Sequence, residues 1–99
     1  MRLRNLDLNL LLVFDAVMRE RSVVRAAGAL AISQPAVSHA LNRLRHALKD
    51  QLFVRTPSGM LPTPRAEALA LPVRKALSDL QLAVEGDRFD PAQAARRFA

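Results

Sequence analysis

Two short helical signals separated by three residues leave this chain little choice of architecture. Ser22 precedes Val23, Ala26, Ala27 and Leu30, which recur at i, i+3, i+4 and i+7, and Ser33 precedes a second stripe of Val37, Leu41, Leu44 and Leu48. Each serine is placed to cap a helix, and Pro35 falls in the first turn of the later one, where a missing N–H costs nothing. The earlier helix has only about two turns, too few to persist alone, so it must be held by its neighbour. The spacing Ala27-x3-Ala31-Ile32-Ser33-x3-Val37 is a helix-turn-helix pattern. Ala27 is small enough to let the second helix approach, and Ile32 and Val37 are expected to plug the gap between the two. Ala31 occupies a turn position that suits Gly or Asn more easily, and a left-handed conformation there would cost about 1–2 kcal/mol in a residue with a Cβ.

The flanking sequence completes a small domain. Asp7 can cap a first helix whose Leu10, Val13, Phe14 and Val17 have core spacing as far as about Arg19. After Asp50, the β-prone run Leu52-Phe53-Val54-Arg55, the turn residues Thr56-Pro57-Ser58-Gly59 and then Met60-Leu61 predict a hairpin around a type I turn. Thr63-Pro64 opens a last helix of about twenty residues, ending at Gly86, with Pro72 predicting a kink. Its stripe of Leu69, Val73, Leu77, Leu80 and Val84 is longer than so small a body can cover, so these five are expected to meet a second copy of the chain. With 99 residues, of which 51% are hydrophobic, the chain suits one mainly α domain, a winged helix-turn-helix with a two-stranded wing and a long C-terminal helix.

Composition narrows the function. Residues 19–65 hold eight Lys and Arg against Glu20 and Asp50, while the segments on either side balance, so the whole net charge of +6 lies in the middle of the chain. The helix that begins after Ser33 turns Pro35, His39, Asn42 and His46 away from its apolar stripe, flanked by Ser38, Arg43 and Lys49. Such a donor-rich face suits the major-groove edges of DNA, with phosphates taken by the cations and by the helix N-terminus. A helical adaptor with a basic face is the rival reading, but it would need exposed apolar anchors on that same face. Four Phe with no Trp or Tyr give a base-stacking surface little to work with. The absence of cysteine leaves no disulfide framework or thiolate site, and two histidines without clustered carboxylates make no metal set. Neither paired carboxylates, nor a nucleophile with its base, nor a phosphate-cradling glycine loop is present, so no enzyme and no cofactor is expected. No apolar run is long enough for a membrane span, and the short run Leu8–Phe14 lacks the features of a signal peptide, so a soluble chain is expected.

The string from Ser22 through Ser33-Gln34-Pro35-Ala36-Val37-Ser38 to Arg45, followed by Leu52-Phe53-Val54-Arg55-Thr56 and Pro62-Thr63-Pro64, closely resembles the DNA-binding domain of LysR-type transcriptional regulators. The resemblance covers roughly residues 6–86, and Arg43-Leu44-Arg45 with Asp50-Gln51-Leu52-Phe53-Val54-Arg55-Thr56 is similar to the branch of nodulation and aromatic-degradation activators. It implies that Gln34, Pro35 and Ser38 approach bases or adjacent phosphates, with Ser33 among the DNA-binding residues at the helix N-terminus and the wing residues Arg55, Thr56 and Ser58 at the minor groove or backbone. His39 departs from the basic residue frequent at its position. Arg25 and Arg43 are read as phosphate contacts, and His39 and Asn42 as base-facing. The resemblance further implies a bacterial, cytoplasmic, nucleoid-associated regulator that binds an interrupted palindromic operator as a homodimer joined through the last helix, and as a tetramer at full length. It also implies a small-molecule coinducer sensed by a further domain. The expected division is 1–62 for the winged domain, 63–86 for the linking helix and 87–99 for the start of the effector domain, which Phe89-Asp90-Pro91-Ala92 to Arg97-Phe98-Ala99 resembles.

Overall fold

A computed structural model describes residues 6–86, so the expected start of an effector domain at 87–99 lies outside the described residues. Four helices and one hairpin follow in the order α1 (Leu8–Glu20), α2 (Val23–Leu30), α3 (Gln34–Leu48), β1 (Phe53–Thr56), β2 (Gly59–Pro62) and α4 (Pro64–Gly86). The starts are set by the four side chains expected to cap them. The Asp7 carboxylate accepts from the Asn9 N–H at 2.8 Å, and the Ser22, Ser33 and Thr63 hydroxyl oxygens accept from the N–H groups of Arg25, Ala36 and Ala66 at 3.2, 3.1 and 3.2 Å.

The first three helices all stop on a left-handed residue, and none of these is glycine: Arg21 (φ 53°), Ala31 (φ 57°) and Lys49 (φ 54°). Each position carries the strain of a Cβ in that region, offset by backbone hydrogen bonds that close the helix end. At Ala31 the turn is secured by the Ile32 N–H donating to the Ala27 carbonyl at 3.0 Å. This conformation corrects one expectation. Ile32, at the turn, remains 40% exposed, whereas Val37 is fully buried in the core that includes Ala27.

The core is shared by all six elements. Phe14 of α1 meets Phe53 of β1 with ring centroids 5.6 Å apart and planes tilted by 46°, a contact that ties the wing to the helical body. Val17, Ala26, Val37, Leu41, Leu44, Leu52, Met60 and Ala66 complete the buried interior. In the antiparallel hairpin Phe53 faces Pro62, Val54 faces Leu61, Arg55 faces Met60 and Thr56 faces Gly59. Phe53 and Met60 point inward, whereas Val54 and Leu61 pair on the outer face. The hairpin is also tied to the end of α1: the Met60 N–H donates to the Arg21 carbonyl at 3.0 Å. Gly59 (φ 124°) allows this approach, since a Cβ there would lie 2.7 Å from the same carbonyl oxygen.

Helix α4 continues through Pro72, which offers no N–H to the Ala68 carbonyl. Its first half rests on the body, with Leu69 and Val73 half-buried against the core and Arg74 paired to Asp15 of α1 at 3.5 Å. A helix of 23 residues is about 35 Å long, and from Leu77 onward it has progressively less of the body beneath it.

Candidate nucleic-acid interface

Helix α3 is built to show one face. Val37, Leu41 and Leu44 are buried, and this fixes the rotation of the helix so that Gln34, Pro35, His39, Asn42, Arg43 and His46 are exposed and Ser38 is half-buried at the margin. No Asp or Glu occurs anywhere in Gln34–Leu48, and an all-cationic or neutral surface of this kind is what a polyanion requires. The Ser33 hydroxyl oxygen accepts from the Ala36 N–H, and its hydroxyl proton stays available to donate to an anionic ligand. In the first turn Pro35 has no N–H and the Val37 N–H donates to the Ser33 carbonyl at 3.2 Å, so the Gln34 N–H is the amide there that no bond within the described residues occupies.

The remaining expected contacts lie on separate elements. Arg25 is exposed on α2, and Arg55 is exposed on β1 near the tip of the wing. Ser58 is exposed in the two-residue loop between the strands. Thr56 is partly occupied in holding that loop: its hydroxyl donates to the Gly59 carbonyl at 2.8 Å and lies 3.3 Å from the Ser58 hydroxyl. These two bonds order the tip before any ligand arrives.

Two residues that sequence reasoning passed over hold the wing against α3. Arg45 donates from Nε to the Gln51 carbonyl at 2.7 Å, from Nη2 to the Phe53 carbonyl at 3.2 Å and from Nη1 to Asn42 Oδ1 at 3.0 Å. Asp50 Oδ1 accepts from the Leu52 N–H at 2.8 Å and from the Thr63 hydroxyl at 2.8 Å, joining the start of the wing to the start of α4. The Leu52 N–H, the Thr63 hydroxyl and the charge of Arg65 hold the Asp50 carboxyl below the usual carboxylate range. Leu52 itself is buried with φ 62°, a strained position supported by these bonds and by the Thr63 N–H donating to its carbonyl at 2.8 Å. Asp50 was visible as the residue that precedes a β-prone run, and Arg45 as one cation among several on the third helix. Their partners lie up to 13 positions away, out of reach of any periodicity.

A second feature lies at the far end of α4. Leu77, Leu80 and Val84 line an open groove of about 690 Å³ together with Leu8 and Leu12 of α1. The stripe expected to meet a second copy is therefore divided: Leu69 and Val73 pack on the chain's own core, and the last three residues face the groove. Leu8 and Leu12 carried a signal, an i, i+4 apolar pair off the main stripe of α1. Among the described residues no three His, Asp or Glu side chains gather as metal ligands, and no helix is long and apolar enough to cross a membrane.

The geometry agrees with known proteins. The chain is 50% identical over 99 residues to Nodulation protein D 2 of Bradyrhizobium sp. (strain NC92) and 54% identical over 99 residues to the HTH-type transcriptional activator NagR of Ralstonia sp., in each case across 99% of this chain. It spans only 29% and 33% of those two relatives. Among solved structures, a probable transcriptional regulator, PA0477 from Pseudomonas aeruginosa, superposes with a TM-score of 0.84 at 56% identity, covering 92% of this chain and 31% of that one. The BenM DBD in complex with catB site 1 DNA superposes with a TM-score of 0.78 at 30% identity, covering 84% of this chain and 93% of that one. These likenesses bear out the winged helix-turn-helix architecture with a long C-terminal helix. Residues 8–67 match the family described as bacterial regulatory helix-turn-helix protein, lysR family, and the chain belongs to that family as a LysR-type DNA-binding domain.

Proposed function

We propose that this chain reads double-stranded DNA by sequence as a homodimer. Helix α3 enters the major groove, with Gln34, Pro35, Ser38, His39 and Asn42 toward base edges and Ser33, Arg25 and Arg43 toward phosphates. The wing residues Arg55, Thr56 and Ser58 lie along the flanking backbone or minor groove. The observation that carries this reading is the exposed face of α3, which presents Gln34, His39, Asn42, Arg43 and His46, no large apolar side chain and no carboxylate. The adaptor reading would need apolar anchors there, and that face presents none.

Two copies join through α4, with Leu77, Leu80 and Val84 entering contact and Leu69 and Val73 seating the helix on its own body. A two-fold arrangement of recognition helices then calls for an operator with two half-sites, an interrupted palindrome. In the longer protein, residues 1–62 form the winged domain, 63–86 the linking helix and 87–99 the start of a domain that senses a small-molecule coinducer. The whole is a non-enzymatic regulator of transcription, tetrameric at full length, acting on the nucleoid in the bacterial cytoplasm. Support comes from relatives about three times the length of this chain, one of them named as a transcriptional activator. The test is a titration of DNA at several salt concentrations. A dimer that neutralises about 8 phosphates should give a slope of log K against log[salt] of roughly −7, and a slope near zero overturns the reading.

A further inference from the structure

Arg21 closes α1 in the left-handed region (φ 53°), a conformation that strains any residue with a Cβ and that glycine or asparagine takes more easily. Packing gives no reason for an arginine there, since the residue is exposed. A strained backbone position without burial points to a use for the side chain. Its guanidinium is anchored at one edge only: Nε donates at 2.9 Å to the carbonyl of Met18, in the last turn of α1. That bond takes one of five N–H donors, and the four on the Nη atoms have no partner among the described residues. Glu20 is the adjacent carboxylate, yet no ion pair joins it to Arg21 among the described residues.

The backbone of Arg21 fixes where these donors stand. Its carbonyl accepts from the Met60 N–H at 3.0 Å, and Gly59 at the turn of the wing comes so near that a Cβ on it would lie 2.7 Å from the same oxygen. Across the hairpin Met60 faces Arg55. Two exposed arginines therefore flank Met60 beside the exposed loop residue Ser58. Other cations nearby are committed elsewhere: Arg19 is paired with Asp15 at 3.2 Å, and Arg45 is bonded to the Gln51 and Phe53 carbonyls.

We infer that Arg21 is a further phosphate anchor, which takes a phosphodiester of the DNA flank beside the wing while Arg55 holds the other side of the tip. The Nη edge suits this ligand because two parallel N–H groups meet two phosphate oxygens. Since the Arg21 carbonyl is bonded to the wing, the contact has a fixed place relative to the wing and helps set where the hairpin lies along the duplex. This inference rests on the DNA-binding reading above and adds to it a residue on the corner between α1 and α2.

The probe is the set of duplexes that the 99-residue chain enriches from a randomised library, titrated at several salt concentrations. Glycine accepts φ 53° without strain, so Arg21→Gly removes the guanidinium and keeps the turn, as circular dichroism checks; Arg21→Asn, also at ease in that region, takes its place if the glycine variant unfolds. Arg21→Gly should bind about tenfold more weakly at low salt, with a slope of log K against log[salt] shallower than the parent's by about two for the dimer, one per subunit. Arg21→Lys keeps the charge and should retain most of the slope. Ethylation of single phosphates should reveal one position on the flank of each half-site that weakens the parent chain and is silent in Arg21→Gly. An arginine that only closes α1 would lower the urea midpoint when removed and leave affinity, slope and ethylation pattern as they were. That result overturns the inference, as does a slope for Arg21→Lys no steeper than for Arg21→Gly. A parent chain that enriches no duplex, or binds without a salt slope, removes the DNA-binding reading itself and this inference with it.

Discussion

Replacing Gly59 with alanine tests how the wing is attached to the helical body. Gly59 has φ 124°, which L side chains rarely adopt, and a Cβ built on it lies 2.7 Å from the Arg21 carbonyl oxygen, a backbone atom that cannot swing aside. Holding alanine in such a conformation costs about 1–3 kcal/mol. Relieving the contact moves the strand away from Arg21 and sacrifices the Met60 N–H bond to that carbonyl, worth a further ~1 kcal/mol. The sum is about 2–4 kcal/mol, which for a domain of this size lowers the melting temperature by roughly 10–25 °C. Gly28 supplies the control, because it lies within α2 with nothing inside 4 Å of the position a Cβ would take. Gly28→Ala should leave the fold intact and raise stability by about 0.5–1 kcal/mol through helix propensity. Urea titration followed by circular dichroism measures both. A Gly59→Ala variant within ~0.5 kcal/mol of the parent would show that the hairpin can shift freely past Arg21, and the account of the wing as a strapped element would be wrong.

Further expectations follow from the same geometry. Leu77→Asp combined with Leu80→Asp puts charge into the groove beside Leu8 and Leu12, and sedimentation should show monomers with palindromic DNA weakened far more than a half-site; an unchanged dimer mass refutes the assigned contact. Gln34→Ala should cost ~1–3 kcal/mol on the cognate duplex and little on scrambled DNA. Arg25→Ala should weaken both duplexes alike and reduce the salt slope by about one per subunit, as equilibrium titration at two salt concentrations would reveal. The Asp50 carboxyl is held below its ordinary value in the fold, chiefly by the Leu52 N–H and then by the Thr63 hydroxyl, so its ionised form stabilises the folded state. That contribution is complete above the unfolded carboxylate value near 4 and is lost as pH falls through the lower folded value. The gap in urea midpoint between the parent chain and Asp50→Asn should therefore be widest near neutral pH and close below about pH 4; a gap independent of pH counts against the Asp50–Leu52 bond.

Much of this fold could be read along the chain, because helix starts and apolar stripes are local statements. A serine or threonine accepts from an amide three residues ahead, and positions three and four apart share a helix face whatever surrounds them. Asp7, Ser22, Ser33 and Thr63 thus marked all four helices, and the stripe Val37, Leu41, Leu44 dictated which face of α3 remained exposed. The turn at Ala31 was legible from its place between two such signals, and its left-handed conformation came with the fold. Local pattern stops short where a side chain's partner depends on how elements cross. Ile32 had the right character for a plug, but the direction of its Cβ is set by the turn closing on Ala27, and it stays 40% exposed while Val37 is fully buried. The apolar stripe of α4 is continuous in sequence, yet its first half lies over α1 and its second half runs past the cover that α1 provides, so one periodicity serves two surfaces. Nothing in the charge of Arg45 or Asp50 distinguished them from solvated neighbours. They became structural because α3, the wing and α4 converge there, leaving the Gln51 and Phe53 carbonyls and the Leu52 N–H without partners of their own within a helix or strand ladder. Backbone groups left over by secondary structure must be satisfied by whatever the tertiary fold brings near, and only the three-dimensional arrangement decides which side chains are recruited to do it.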